Sequence, residues 1–191
     1  MRWDALFSDM EAQFAEGGRL SMEAEISERA RADVAGLSLA DRLRGSLGTH
    51  VKVHLVSGVV FEGTLVYAGA DAVVLNDNNR HQVLVPHIAV ETYAGLGRFS
   101  VSEPSAVRRS IGLANALRGL ARDRSELTVM LRSGSAQDSG MTGVIDKVGR
   151  DYLDLAALRP GEARRAPHVG HVMTIPFSAL AAVRSVFTGD L

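Results

Sequence analysis

The sequence predicts a mainly β protein with helices, of the α+β class. It expects an N-terminal helical hairpin followed by two duplicated units, each a helix and a small five-stranded barrel. Three observations carry this. The first is a short pattern written twice: Val51, Val53, Leu55, Ser57, Gly58, Gly63, Gly69, Asp71, Leu75 and Val85-Pro86, then Leu127, Val129, Leu131, Ser133, Gly134, Gly143, Gly149, Asp151, Leu155 and Ile175-Pro176. The offset is 76 residues through the first glycine, 80 through the middle block and 90 at the proline. Length differences fall between blocks and not inside them, as in strands kept in register and joined by variable loops. The second is Leu113-Ala114-Asn115-Ala116-Leu117-Arg118-Gly119, which matches Leu39-Ala40-Asp41-Arg42-Leu43-Arg44-Gly45 and sets a helix ahead of each copy. The third is alternation: Val51, Val53 and Leu55 are separated by Lys52 and His54, the period of a half-buried strand.

Taken in order, Trp3, Leu6, Phe7, Met10 and Phe14 recur at helical steps and predict an amphipathic helix over residues 2–15. Gly17-Gly18 ends it, and Ser21 starts a second helix with Glu23 and Glu25 in its first turn. Met22, Ile26, Ala30, Val34 and Leu37 form the apolar face of that helix. Ser38 and Asp41 then open a helical segment over residues 39–46. The first barrel follows with strands around 51–55, 61–67, 72–75, a fourth ending at Pro86, and a short fifth with Ile88 and Val90. Proline ends the fourth because it cannot donate to a ladder. Residues 94–103 read as a linker, and Ser102-Glu103-Pro104 starts a helix to about Arg122 that buries Val107, Leu113, Ala114, Leu117, Leu120 and Ala121. The second barrel repeats the first with longer loops after Gly134 and between Arg159 and Gly170. The expected division is therefore 1–37 for the hairpin, 38–95 for the first unit, 96–103 for the linker and 104–187 for the second unit.

Composition narrows the chemistry. Of 191 residues, 46% are hydrophobic and 23% charged, ordinary for a globular chain. Cysteine is absent, which removes disulfides and thiolate chemistry together. No apolar run approaches the roughly 18 residues of a membrane span, and the N-terminus does not read as a secretory signal. The expectation is a cytoplasmic protein with no membrane partner. Net charge is −1, yet residues 104–191 carry twelve basic against eight acidic side chains and residues 1–50 carry six against nine.

A helix, a bent strand ending in Gly58, then Gly63-Thr64-Leu65 and a closing strand together resemble the Sm-like small barrel of the Src-homology-3 type. The resemblance covers residues 39–93 and 113–186. The whole chain, opening Met1-Arg2-Trp3-Asp4-Ala5-Leu6-Phe7, is also similar to a family of short proteins from actinobacterial, high-GC Gram-positive species, a likeness that implies no particular activity. The Sm-like resemblance implies RNA binding at a uridine site built from an Asp and an Asn beyond the Gly-x-Leu pair and an Arg-Gly or comparable basic-polar pair after the fourth strand. Here Asp71 lies eight residues past Gly63, Val73-Val74 stands where the Asn belongs, and the fourth strands end Val85-Pro86-His87 and Ile175-Pro176-Phe177. The uridine site therefore does not carry over.

Asp71 and Asp151 sit beside turn glycines and read as turn-stabilising acids. His81 and His87, like His168 and His171, read as solvated loop histidines, since strand alternation sends residues three apart to opposite faces. Arg108, Arg118 and Arg122 share one face of the expected central helix, and with Arg164 and Arg165 of the long loop they are the candidate nucleic-acid contacts. Trp3, Leu6, Phe7, Met10 and Phe14 are either core or a surface for docking a partner or second copy. No nucleophile elbow, zinc-binding helix or phosphate loop is present, so no catalytic, cofactor or metal residue is assigned and no small-molecule ligand is expected. The leading expectation is a non-enzymatic adaptor that binds a protein partner or self-associates through strand edges. RNA or DNA binding by the basic half is the alternative, and an enzyme using residues 159–170 as a lid is the weakest.

Overall fold

The computed structural model describes residues 2–77, 81–134, 140–157 and 172–186. The chain divides into two compact units, Met1–Ser38 and Leu39–Leu191.

The first unit holds one uninterrupted helix, α1 (Arg2–Ala35), where the sequence predicts a hairpin broken at Gly17-Gly18. The correction has a physical reason. Two interior glycines cost about 1 kcal/mol each relative to alanine. Stopping and starting again costs the nucleation of a new helix, with σ near 10⁻³, or about 4 kcal/mol. Running through is the cheaper course. Arg19 supports it by pairing with Glu16 at 2.7 Å and Glu23 at 3.1 Å, tying together the turns next to the glycines.

The second unit contains α2 (Leu39–Arg44), β1 (His50–Leu55), β2 (Val60–Ala68), β3 (Ala72–Asp77), β4 (His81–Pro86), a 3-10 turn (His87–Ala89) and β5 (Val90–Ala94). After α3 (Ala106–Ser110) the order recurs: α4 (Leu113–Arg122), β6 (Glu126–Leu131), β7 (Met141–Val148), β8 (Tyr152–Ala157), β9 (Val172–Pro176), a 3-10 turn (Phe177–Ala179) and β10 (Leu180–Val186). The fold is thus mainly β with helices, α+β. Ile88 falls in the first 3-10 turn and not in the fifth strand, because Pro86 lacks the N–H that would continue the ladder.

All ten strands join one antiparallel sheet in the order β5-β1-β2-β3-β4-β10-β6-β7-β8-β9. Irregularities recur at equivalent places. The register of β5 on β1 shifts between His54 and Leu55, and that of β10 on β6 between Leu180 and Ala182. The β2–β3 and β7–β8 pairs shift just after Leu65 and Ile145. At Gly63 and Gly143 a side chain would run into the Asn76 and Ala156 carbonyls of the next strand, so glycine is required at both.

Two apolar clusters form the core, and each borrows from the other half. Leu43, Val51, Val53, Leu65, Leu75 and Val85 pack with Ala181 and Ala182 of β10. Leu117, Leu127, Val129, Ile145, Leu155 and Ile175 pack with Ala72 and Leu84 of β3 and β4. Leu43 and Leu117, at equivalent positions on α2 and α4, are both fully buried.

The continuous helix expected from Pro104 to Arg122 is instead two helices separated at Ile111-Gly112. Ser105 caps α3 by accepting the Arg108 N–H, and the Asp71 carboxylate occupies the space a side chain at Gly112 would need. Val107, expected in the core, is 72% exposed on the short α3.

Candidate interaction surface

The feature that organises the second unit is the seam where β4 meets β10. Val183 lies opposite Leu84, Arg184 opposite Val83, and Ser185 opposite Gln82. Ala181, Ala182 and Val183 are buried there, as are Val83, Leu84 and Val85. At the seam's edge the Arg184 guanidinium donates to the Asp77 carboxylate at 2.7 Å. That pair is partly open to solvent, so it contributes about 1 kcal/mol or less and the apolar contact dominates.

A second clasp lies beside the seam. Asp71 Oδ1 accepts the Leu113 N–H at 2.6 Å, while the Ala70 N–H donates to the Ile111 carbonyl at 3.0 Å. Tyr67 Oη donates to the same carbonyl at 3.3 Å, and burial raises the phenol's pKa. Asp71 thus reaches out of its own turn to hold the start of α4, a longer-range role than turn stabilisation. Its backbone carbonyl accepts the His87 N–H, as that of Asp151 accepts the Phe177 N–H. Asp71→Ala removes the acceptor of the Leu113 N–H and is expected to lower stability by about 1–2 kcal/mol in chemical denaturation, with Asp151→Ala near neutral because among the described residues its carboxylate accepts no such bond.

The seam leaves β5 and β9 as the outermost strands of the sheet among the described residues. Their equivalents, β10 and β4, are the two strands joined at the seam. The difference shows in exposure: Glu91, Thr92 and Ala94 of β5 and Val172 and Thr174 of β9 are exposed. One signal of this is legible in the sequence. Ala181-Ala182, small and apolar, stands where the first half has Glu91-Thr92, a difference that fits burial in one copy and solvent in the other.

The arginines expected to form one cationic face are not brought together on one helix. Arg108 lies on α3, whereas Arg118 and Arg122 lie on α4. Arg118 donates to the Gly149 carbonyl at 3.1 Å and to Asn115 Oδ1 at 3.3 Å, so it ties α4 to the β7–β8 turn. Arg122 and Arg108 are exposed. Arg164 and Arg165 lie outside the described residues, as do His168 and His171. Of the N-terminal stripe, Met10 is exposed on α1, and the side chains of Trp3, Leu6, Phe7 and Phe14 lie outside the described residues.

His87 is not the solvated loop histidine expected. It is half-buried, with Nδ1 2.7 Å from Tyr93 Oη and the two rings edge to face. Burial lowers its pKa below the usual 6.5, and the Gly69 carbonyl and the Asp71 charge only partly oppose this. Burial likewise raises the pKa of Tyr93. The unfolded chain therefore takes up a proton on His87 more readily than the folded one. Stability is full above about pH 6.5 and is lost as pH falls below it toward the lowered folded value. Unfolding midpoints measured from pH 8 to pH 5 should show this loss, and His87→Phe, the residue at equivalent position 177, should remove that component.

Among the described residues no group of three or more histidines and acids is arranged to hold a metal ion, and no helix is long and apolar enough to cross a membrane. A hollow of about 260 Å³ lies beside the seam, lined by Ser57, Val59, Met130, Leu131, Met141 and Ala181. It offers no acid–base pair. What the surface can do chemically is add backbone hydrogen bonds along a strand edge, with side chains of alternate residues setting selectivity. No protein-family model matches the chain, and no curated protein matches it.

Proposed function

We propose that the chain is a non-enzymatic binding protein, built as a tandem of Sm-like small barrels, that acts by adding strands at its sheet edges. The observation that carries this is the seam itself. The chain already joins two five-strand sets by pairing β4 with β10, and it carries the equivalent strands β9 and β5 at the two ends of the sheet. The recurring element order and the recurring register shifts support the tandem reading. An edge strand with unpaired backbone groups is a template for another strand, and proteins that do not use such an edge commonly block it with proline, charge or a covering loop.

The test is light scattering of the purified chain together with crosslinking in cells, with protein and RNA recovered from the same purification. Recovery of a protein partner or of a self-assembled species is expected. A strict monomer that recovers no protein overturns the reading. RNA recovered without protein, with retention falling steeply as salt rises, moves the function to the basic half.

A further inference from the structure

We infer that the hollow beside the seam is a binding site for a small neutral molecule, a single ring or compact chain that carries one hydroxyl group. The inference stands apart from the strand-edge reading, because it concerns a different surface and neither depends on the other. Three observations carry it.

The first is where the hollow lies. Its walls come from both halves: Ser57 and Val59 between β1 and β2, Met130 and Leu131 on β6, Met141 on β7 and Ala181 on β10. Val59, Met130 and Ala181 belong to the first apolar cluster, and Leu131 and Met141 to the second. The hollow therefore sits where the two clusters meet, a place that close packing ordinarily fills. An occupant there would touch both cores at once.

The second is what keeps the space open. Val53 lies opposite Phe61 and Val129 opposite Met141, so Met141 stands where the first half has Phe61. A broad rigid ring gives way to a narrow thioether chain, the side chain that adapts most readily to varied contacts. The fully buried Val129 marks the floor, and the exposed Ser133 and Gly140 mark the mouth. A closed apolar cavity of about 150 Å³ is enough to hold benzene. The 260 Å³ here suits one ring with a short substituent.

The third is chemistry. Among the described residues none that lines the hollow is charged. An ion entering it would lose hydration without gaining a counter-charge, so a neutral occupant is favoured. Ser57 supplies the polar contact. Its Oγ is buried and, among the described residues, has no hydrogen-bond partner. Buried polar groups are rarely left unpaired. A ligand hydroxyl, which both donates and accepts, would satisfy Ser57 in either direction. Water alone would answer Ser57 but leave Val59, Leu131 and two thioether chains facing solvent.

The experiment uses the full chain with carbon-13 labels on the methyl groups of its six methionines, read by NMR. Met130 and Met141 report on the hollow, and Met10 and Met22, exposed on α1, are the controls. Benzyl alcohol should move the Met130 and Met141 signals saturably and leave the controls in place. Toluene, the same ring without the hydroxyl, should bind about tenfold more weakly, and benzoate should not bind. Ser57→Ala should weaken benzyl alcohol about tenfold and leave toluene unchanged, a split that general loosening of the fold would not produce. Met141→Phe, which brings in the residue of the first half, should abolish the Met130 shift, with circular dichroism to confirm folding. If that variant does not fold, Ser57→Ala decides alone. No saturable shift with benzyl alcohol, or equal shifts at Met10 and Met22, overturns the inference. So does binding indifferent to both the hydroxyl and Ser57→Ala, or binding that survives Met141→Phe in a folded chain.

Discussion

Leu117→Ala is expected to lower the stability of the Leu39–Leu191 unit by about 2–5 kcal/mol, the range for emptying a closed core site. Leu117 is fully buried on α4, in one apolar cluster with Leu127, Val129, Ile145, Leu153, Leu155 and Ile175 of β6 to β9. The larger consequence concerns where the loss is felt. The same cluster includes Ala72 and Leu84 from β3 and β4, and β4 also carries the hydrogen bonds to β10. A cavity at Leu117 should therefore weaken β1 to β5 as well, although those strands lie 23 or more residues earlier in the chain. Hydrogen exchange resolves this. Amides of β3 and β4 should lose protection together with those of β6 and β7, in one cooperative step. If β6 to β9 lose protection while β1 to β5 keep theirs, the two halves fold independently and the seam contributes little. Leu43→Ala, at the equivalent position, should produce the same joint loss from the other side.

How much of this was legible in the sequence follows from what each feature depends on. Strands β1 and β6 were readable because Val51, Val53 and Leu55, and Leu127, Val129 and Leu131, alternate with polar neighbours, and alternation is a local property. The ends of β4 and β9 were readable from Pro86 and Pro176. The helix α1 was misread because Gly17-Gly18 is a stop only if stopping is cheaper than continuing, and that balance depends on nucleation and not on the two residues. The break between α3 and α4 is not legible locally because its cause, the Asp71 carboxylate that accepts the Leu113 N–H, comes from 42 residues away. His87 was misread for a similar reason, since Tyr93 and the surrounding burial are supplied by tertiary structure. The seam was the least legible feature. A strand edge looks much the same in sequence whether it is paired or free, and the differences are slight, Ala181-Ala182 against Glu91-Thr92 and Leu84 against Thr174.

That same difference yields the sharpest expected contrast. Ala182→Arg should cost about 4 kcal/mol or more, enough to deplete the folded state, whereas Thr92→Arg should change folding stability by less than about 0.5 kcal/mol. The two positions correspond, since Ala182 lies opposite Met130 and Thr92 opposite His54 at equivalent points of β6 and β1. Ala182 is fully buried within the first apolar cluster, where a guanidinium finds neither volume nor a counter-charge. Overpacking and an unpaired buried charge then act together. Thr92 is exposed on the outermost strand, where the same side chain extends into water. Its effect should fall on association, because a strand added at the β5 edge would bury position 92 as the seam buries position 182. Denaturation midpoints and sedimentation velocity on the two variants separate the two effects. Thr92→Arg should melt like the starting protein yet assemble less readily. If it assembles unchanged, β5 does not enter the contact. If Ala182→Arg melts unchanged, the seam is looser than its burial indicates and no longer serves as the precedent for strand addition at the open edges.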